Sequence, residues 1–239
     1  MFAGPNGSGK STLKSVLRKE LLGVYLNPDD IEREICRQGF LELSAYGVDV
    51  TETEALSFFR DSPFLNSVNM AAAAGRITFE KNRLIFSSLD VNAYFASVTV
   101  DFLRSSLLKQ KASFTLETVM SHRSKIEWLT QARQSGFRTY LYFVATDDPA
   151  INISRVRNRV SQGGHAVPEG KIESRYHRSL DLLMDAIRYT SRAYIFDNSG
   201  DNQEKHTWLA EITEGRKLEM KTDEMPAWFK RAVLDKAQG

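Results

Sequence analysis

The sequence predicts an α/β fold with a mostly parallel sheet, because segments with strand character alternate along the chain with segments of helical periodicity. Residues 139–144 form a continuous apolar and aromatic run, which is typical of a parallel strand buried on both faces. The chain has 239 residues, of which 42% are hydrophobic and 26% are charged, so its size and composition are those of an ordinary globular protein. We therefore expect a folded core around a central sheet.

The predicted elements follow one another in a regular order. A strand is expected at 1–3, a helix at 10–22, a strand at 23–26 and a helix at 31–38. The alternation resumes after residue 110, with strands at 112–117, 139–144 and 193–196 and helices at 123–135, 148–160 and 169–190. This order predicts a sheet whose two faces are both covered by helices.

Two further regions interrupt or follow this core. Residues 40–110 carry apolar positions at helical spacing and predict an all-helical insertion. Near the end of the chain, apolar residues alternate around Glu214-Gly215, which predicts a small β-hairpin, and 226–236 read as a short amphipathic helix. We expect a core domain over 1–199, which contains the insertion, and an appendage over 200–239.

Charge and cysteine content exclude several classes of protein. Lys and Arg number 32 against 30 Asp and Glu, and no basic tract accompanies the net charge of +2, so the composition does not call for nucleic acid. The one cysteine, Cys36, excludes a disulfide within the chain and a cysteine-built zinc site. Apolar stretches are far shorter than the about 20 residues of a membrane span, and the first residues lack the pattern of a signal peptide. We expect a cytoplasmic protein.

Residues 4–11 fit the phosphate-binding (Walker A) pattern G-x-x-x-x-G-K-[ST] at every position. Glycines let backbone N–H groups turn inward around phosphates, Lys10 reaches the β- and γ-phosphate oxygens, and the Ser11 hydroxyl binds Mg²⁺. A chance match is the alternative, but the strand before the loop and the helix after it argue against chance. ATP and Mg²⁺ are the predicted cofactors, and the expected nucleotide-binding residues are Gly4, Pro5, Asn6, Gly7, Ser8, Gly9, Lys10, Ser11 and Thr12.

Signature segments narrow the class of P-loop protein. The chain lacks the Asn-Lys-x-Asp segment with which switch GTPases read guanine, and 161–164 only faintly resemble the ABC ATPase signature. The layout that remains is that of a P-loop NTPase of the kinase type, a three-layer sandwich with its ligands at the carboxyl ends of the strands.

Asp29 follows the second predicted strand, 19 residues after Lys10 (29 − 10). In an open α/β sheet this position faces the ligand, so we expect Asp29 to take the proton of an acceptor hydroxyl near the γ-phosphate. The alternative is that Asp29 or Asp30 only caps the next helix, and of the two we expect Asp30 to be the cap.

Glu117 ends the next predicted strand and is expected to face the same crevice, as a ligand of the acceptor hydroxyl or of Mg²⁺-bound water. The alternative for Glu117 is a solvated strand end. Thr118, Ser121 and His122 continue a polar cluster at this edge and are predicted to bind substrate. For His122 the alternative is a surface residue at the start of a helix.

Three arginines follow the strand at 139–144, and Arg155 and Arg159 share one helix face. We expect them to neutralise charge on the transferring phosphoryl group, whereas the alternative is a solvated basic face. The segment 162–165 follows, and its glycines are typical of a mobile lid tip.

Several segments, taken in order, resemble the zeta-toxin family of P-loop kinases. The likeness covers the core from 3 to 199, apart from 40–110. The segments that carry it are 3–12, 27–29, 116–118 with Ser121-His122, 145–149 with Asn152, Arg155-Val156 with Arg159-Val160, 163–168, Arg175-Tyr176 and 197–199.

The resemblance implies ATP- and Mg²⁺-dependent phosphorylation of a hydroxyl, which in this family belongs to a UDP-activated amino sugar. It also implies a small antitoxin protein as partner, which blocks the nucleotide site. Lys10, Asp29 and Arg155 match catalytic residues of the family, and Glu117 matches its substrate-binding glutamate. By the same resemblance, Asp197 and Asn198 fall in the loop that contacts adenine.

The chain departs from the family pattern in two places. His165 occupies the place of a second phosphate-contacting arginine, and a histidine is cationic only part of the time near neutral pH. Arg157 or Arg159 could therefore take over that role. Asp29 and Glu117 are 88 residues apart (117 − 29), a longer separation than we expect for the toxins, and the extra helices border the acceptor side. The acceptor is therefore left open.

The expected function is a kinase that phosphorylates a small hydroxyl acceptor, with a nucleotide sugar as the leading candidate. One alternative is a binding module that ATP controls through the helices at 40–110. The other is a kinase acting on nucleic-acid ends, against which the near-balanced charge argues mildly. Trp208 and Trp228 are expected to pack rather than to stack on bases, and Cys36 is expected to lie in the core.

Overall fold

The structure is a computed structural model, which describes residues 1–15, 17–87, 89–164, 166–200 and 206–237. The chain folds into two compact units. Unit 1 comprises Met1–Arg18 and Glu117–Gly239, and unit 2 comprises Lys19–Leu116.

Strands and helices alternate along most of the chain. In chain order they are β1 (Phe2–Ala3), α1 (Lys10–Ser15), β2 (Val24–Leu26), α2 (Pro28–Gln38), β3 (Phe40–Glu42), α3 (Glu52–Arg60), α4 (Pro63–Ser67), α5 (Ala71–Ala74), β4 (Thr78–Glu80), β5 (Arg83–Ile85), α6 (Ala93–Lys109), β6 (Phe114–Thr118), α7 (Ser124–Gln134), β7 (Tyr140–Ala145), α8 (Pro149–Ser161), α9 (Glu169–Asp181), α10 (Leu183–Arg188), β8 (Arg192–Asp197), β9 (Thr207–Thr213), β10 (Lys217–Met220), α11 (Ala227–Phe229) and α12 (Asp235–Ala237). Short 3₁₀ helices lie at Lys19–Leu21 and Leu43–Tyr46, and a π-helical turn, Lys230–Leu234, joins α11 to α12.

The strands confirm the predicted α/β class. In unit 1, β1 pairs in parallel with β6 and with β7, and β7 pairs in parallel with β8. The first half of β6, in unit 2, pairs in parallel with β2. The predicted C-terminal hairpin is also confirmed, because β9 lies antiparallel to both β8 and β10. The seven strands are therefore mostly parallel, as the alternation of elements predicts.

The core of unit 1 joins one face of its sheet to the helices that follow β6. Leu141, Phe143 and Ile195 point into this core from neighbouring strands. Trp228 and Phe229 of α11 are fully buried in the same core, so α11 packs with the helices that follow β6. The predicted domain boundary between residues 199 and 200 stays a prediction.

Unit 2 corrects the prediction of an all-helical insertion. Strands β3, β5 and β4 form a three-stranded antiparallel sheet, in that order. Lys81 and Asn82 both have positive φ, at 50° and 59°, which is the backbone of a tight two-residue hairpin turn. The helical interpretation of this stretch was wrong because the turn sets a period of two for the residues beside it.

The other elements of the predicted insertion at 40–110 are helices, as predicted. Thr51 and Glu54 make a reciprocal capping box at the start of α3, and Asn92 caps α6 through Tyr94 N. Helix α6 has 17 residues, and none of the helices in the described part of the chain combines the length and apolarity that a bilayer span requires. Cys36 is exposed on α2, so the expectation that it lies in the core was wrong.

Candidate active site

The phosphate-binding motif forms a loop between β1 and α1, and its path requires glycine. Gly4, Gly7 and Gly9 have φ values of 140°, 74° and 98°, which side chains rarely allow. A Cβ on Gly4 would lie 2.0 Å from Val144 O on the neighbouring strand β7. The loop therefore passes closer to the sheet than any other residue type would permit.

Lys10 places its ammonium group inside this loop. Its Nζ donates to Gly4 O and to Pro5 O, each at 2.9 Å, and the residue is only 9% exposed. Ser8 N donates to Pro5 O at 3.3 Å and closes the turn. The loop thus holds one positive charge beside the first turn of α1, where the positive end of the helix dipole also favours an anion.

Two buried asparagines of unit 1 donate hydrogen bonds to backbone carbonyl groups of the loop. Asn152 on α8 donates from Nδ2 to Asn6 O at 2.6 Å and accepts a hydrogen bond from Thr146 Oγ1. Asn198, directly after β8, donates from Nδ2 to Ser8 O at 2.8 Å. The loop backbone is therefore fixed by side chains from α8 and from the turn after β8, which lie 146 and 190 residues further along the chain than the residues they bond.

His206 is a residue of this site that the sequence did not reveal. Its Nε2 lies 3.1 Å from Gly9 O, and because a carbonyl oxygen only accepts, Nε2 carries the proton in this contact. Burial lowers the pKa of His206, the hydrogen bond to Gly9 opposes this shift, and the positive charge of Arg155 lowers the pKa further. No motif marks His206, and only the return of the chain to the loop brings it there.

Ser11 and Glu117 are two predicted site residues that the structure brings together. Ser11 Oγ donates to Glu117 Oε1 at 3.4 Å, because Glu117 lies near the end of β6, the strand next to β1. A hydroxyl and a carboxylate are the hard oxygen donors that Mg²⁺ prefers, so these residues fit a Mg²⁺ site. Within the described residues no cluster of three His, Cys, Asp or Glu side chains is placed to hold a metal. Phosphate oxygens would therefore have to supply further ligands.

Thr118 and His122, two of the polar residues after Glu117, bond to residues close to them in the chain. Thr118 Oγ1 accepts from Met120 N at 3.0 Å. His122 Nδ1 accepts from Ser124 N at 3.3 Å and lies 3.0 Å from Ser124 Oγ, at the start of α7. This is the geometry of the helix-start alternative for His122. The substrate-binding roles of Thr118, Ser121 and His122 stay predictions.

The three arginines of α8 have different surroundings. Arg155 is half-buried and donates to Asn198 O at 2.7 Å and to Gly200 O at 2.8 Å, so it holds the loop after β8. Arg157 forms an ion pair with Glu169 at 2.6 Å, and Arg159 is exposed. The catalytic roles of Arg155 and Arg159 stay predictions, and His165 lies outside the described residues.

Asp197 turns its carboxylate into the protein. Its Oδ1 accepts from Trp228 Nε1 and from Ser199 Oγ, each at 2.7 Å, and its Oδ2 accepts from Ser199 N at 2.9 Å. Asp197 therefore shapes the turn that carries Asn198. Its predicted contact with the nucleotide stays a prediction.

Asp29 lies in unit 2, in the first turn of α2. This helix begins at Pro28, and Asn27 is its N-cap, since Asn27 Oδ1 accepts from Asp29 N at 2.9 Å. Asp30 pairs with Arg33 at 3.1 Å, so the expectation that Asp30 is the cap was wrong. The helix starts earlier than predicted because proline is well suited to a first helical turn. The exposed Asp29 carboxylate is left without a capping role.

Comparison with curated proteins gives one short relative. No protein-family model matches the chain. An uncharacterised protein of Haemophilus influenzae is 32% identical over 69 residues, which are 29% of this chain and 49% of the relative. The chain thus spans about half the length of the curated relative it matches.

A search of solved structures found two matches that span most or all of the chain. The crystal structure of AvrRxo1-ORF1:AvrRxo1-ORF2 with sulphate ions has a TM-score of 0.52 and 13% identity, and the match covers 93% of this chain and 60% of that chain. The PezAT chromosomal toxin–antitoxin system of Streptococcus pneumoniae has a TM-score of 0.49 and 14% identity, covering 100% of this chain and 77% of that chain. The chain is therefore similar in fold to a chain of the AvrRxo1-ORF1:AvrRxo1-ORF2 structure.

Proposed function

We propose that the chain is an ATP- and Mg²⁺-dependent phosphotransferase that phosphorylates a hydroxyl group of a small acceptor. The observation that carries the proposal is the loop at 4–11, in which the Lys10 ammonium is bonded to Gly4 O and Pro5 O beside the start of α1. A buried cation and a helix N-terminus at one place favour a polyphosphate. Loop backbone N–H groups and Lys10 would bind the β- and γ-phosphates.

Ser11 and Glu117 are the residues that would hold the metal. The ion would neutralise charge on the phosphate oxygens and orient them when it is bound. Ser11 Oγ is the expected direct ligand, and the Glu117 carboxylate, 3.4 Å from it, would accept from a metal-bound water or from the acceptor hydroxyl.

Asp29 is the proposed general base. It follows β2 at the carboxyl end of a parallel strand, its carboxylate is exposed, and Asn27 relieves it of the capping role. A carboxylate in that position orients an acceptor hydroxyl and accepts its proton as the phosphoryl group transfers. Arg155 and Arg159 are the proposed cations that stabilise the transferring group.

The acceptor class follows from the resemblance to zeta toxins. We propose a UDP-amino sugar as acceptor and a small antitoxin protein as the partner that blocks the nucleotide site. Under this proposal the product is a phosphorylated nucleotide sugar that cell-wall synthesis cannot use, and the chain acts as a toxin.

A transfer assay tests the proposal directly. The purified protein is incubated with γ-labelled ATP, Mg²⁺ and a panel of nucleotide sugars, beside the variants Lys10→Ala and Asp29→Asn. Asp30→Asn is the matched control, because it makes the same change one residue further along the same helix turn. We expect label on a UDP-sugar with the wild-type protein and Asp30→Asn, and loss of transfer by orders of magnitude in the other two.

Binding measurements separate the roles of the two residues. Asp29→Asn should bind ATP as the wild type does, whereas Lys10→Ala should not. Transfer that is unchanged in Asp29→Asn would exclude Asp29 as the base. ATP binding without transfer to any sugar would reject the sugar acceptor and favour the ATP-controlled module, and transfer to oligonucleotide ends would favour the nucleic-acid kinase.

A further inference from the structure

The C-terminal part of the chain contacts the phosphate-binding loop through His206, and it contacts the turn after β8 through Trp228. We propose that it belongs to the nucleotide site, where His206 and Trp228 are positioning residues that set the affinity for MgATP. The inference rests on the proposed function, since it concerns the same loop. Nothing in the sequence motifs marks either residue, and the C-terminal segment reads there as an appendage.

His206 acts on the loop itself. Its Nε2–H donates to Gly9 O at 3.1 Å, at the last residue before Lys10. Gly9 O also accepts from Leu13 N at 3.1 Å, as the first hydrogen bond of α1. The imidazole therefore fixes the peptide between Gly9 and Lys10, whose N–H is one of the groups that would face a phosphate.

Trp228 acts on the turn after β8. Its indole Nε1–H donates to Asp197 Oδ1 at 2.7 Å, and its backbone N–H donates to Asp147 Oδ1 at 3.3 Å. Ser199 Oγ closes the network, because it donates to Asp197 Oδ1 and accepts from Asp147 N at 2.8 Å. One buried tryptophan thus ties together the carboxyl ends of β7 and β8.

Asn198 connects the turn that Trp228 holds to the phosphate-binding loop. It stands next to Asp197 in this turn and donates to Ser8 O. By fixing Asp197, Trp228 therefore also fixes the residue that bonds to the loop. Asn198 and His206 flank the same glycine, since a Cβ on Gly9 would lie 2.3 Å from Asn198 Nδ2 and 2.9 Å from His206 Nε2. The loop conformation is therefore set on this side by two residues that Trp228 and the start of β9 hold in place.

Trp208 lies in the same C-terminal segment, and we assign it no positioning role. It is 40% exposed, and its Nε1 donates to Ala210 O within its own strand. Trp228 has 0% exposure and bonds to a carboxylate 31 residues away. The two residues form a matched pair for substitution.

The test is MgATP binding by isothermal titration calorimetry on the full chain. The variants are Trp228→Phe, His206→Ala and His206→Gln, and the controls are Trp208→Phe and His177→Ala, the latter an exposed histidine on α9. We expect the Kd for MgATP to rise about tenfold in Trp228→Phe and in His206→Ala, the effect of losing roughly one hydrogen bond that orders the site. His206→Gln should stay within about threefold of the wild type, because its amide N–H can reach the same carbonyl.

The outcomes separate this inference from the proposed function. Wild-type affinity in both His206→Ala and Trp228→Phe would overturn the inference and leave the kinase proposal standing. Failure of His206→Gln to restore affinity would reject the hydrogen bond as the cause. A wild-type protein that binds no MgATP would overturn the proposed function and this inference with it. Thermal melting of each variant without nucleotide shows whether Trp228→Phe loses folding in general. If it does, the variants of the half-buried His206 test the inference.

Discussion

The side-chain amide of Asn152 donates to the carbonyl oxygen of Asn6 at 2.6 Å, across 146 residues of sequence. Its oxygen accepts from Thr146 Oγ1, so both ends of the buried amide are bonded within unit 1. An irregular loop cannot satisfy its own carbonyl groups as a helix does, and the asparagine supplies the missing donor. Helix α8 therefore supplies a side chain that supports the backbone of the phosphate-binding loop.

Asn152→Ala should destabilise unit 1 and weaken nucleotide binding. The change leaves Asn6 O without this donor and leaves Thr146 Oγ1 only its contact with Asp148 O at 3.3 Å, which costs about 1–3 kcal/mol of unfolding free energy. Urea unfolding measures the effect, and Asn158→Ala on the exposed face of the same helix is the control, with an expected change below about 0.5 kcal/mol. Equal effects of the two substitutions would contradict the role of Asn152.

Gly4→Ala should abolish the loop conformation. The added Cβ would meet Val144 O at 2.0 Å, and φ at this residue is 140°, so we expect a loss of more than about 1 kcal/mol of unfolding free energy together with loss of MgATP binding. Gly170→Ala is the control, because that glycine lies in α9 and an added Cβ would meet nothing within 4 Å. The control should keep binding and gain up to about 1 kcal/mol.

His206 should make the stability of the protein fall in weak acid. Its pKa in the folded state is lowered by burial below the ordinary value near 6.5, so the unfolded chain binds the proton more readily. The free energy of unfolding should therefore decrease as the pH drops from 7.5 to 5.5, and by less in His206→Gln. Urea titrations of both proteins at pH 7.5 and 5.5 measure how far the free energy of unfolding changes in each. Subtracting one change from the other removes the contribution of groups that titrate in both proteins. Parallel changes in both proteins would show that His206 does not contribute.

The start of α2 offers a test in unit 2. Asn27→Ala removes the N-cap acceptor of Asp29 N and should cost about 1 kcal/mol of unfolding free energy. Asp30→Ala removes only a first-turn charge and an exposed ion pair with Arg33, so its effect should stay below about 1 kcal/mol. Chemical denaturation of the two variants compares them. A larger effect at Asp30 would restore that residue as the cap.

Periodicity and local motifs predicted most of the fold. The apolar and aromatic run at 139–144 became β7, although Tyr140 on this strand is exposed, and the alternation around Glu214-Gly215 became the hairpin of β9 and β10. The strands at 78–85 were missed, because short apolar segments fit helical and strand spacing equally well over a few residues. The decisive signal there was the turn at Lys81-Asn82, which needs positive φ at both residues.

The candidate site, like the fold, could be predicted from the sequence only in part. The motif alone located the loop at 4–11, and the order of the strands explains why Ser11 and Glu117 meet. The roles of Asp29, Arg155 and Arg159 stay predictions, and so does the identity of the acceptor. His206 and Trp228 had no local signal, because neither residue belongs to a motif near the loop.

The sequence by itself determined the phosphate-binding loop and the α/β class, since both depend on residues close together in the chain. Glycine at positive φ, an enclosed lysine and alternating apolar segments are local properties. Only the tertiary structure decided which distant side chains close on the loop. The parallel pairing of β1 with β7, and of β7 with β8, brings Asn152 and Asn198 to Asn6 and Ser8, and β9 returns His206 to Gly9. Such partners follow from strand order, and periodicity along the chain does not encode strand order.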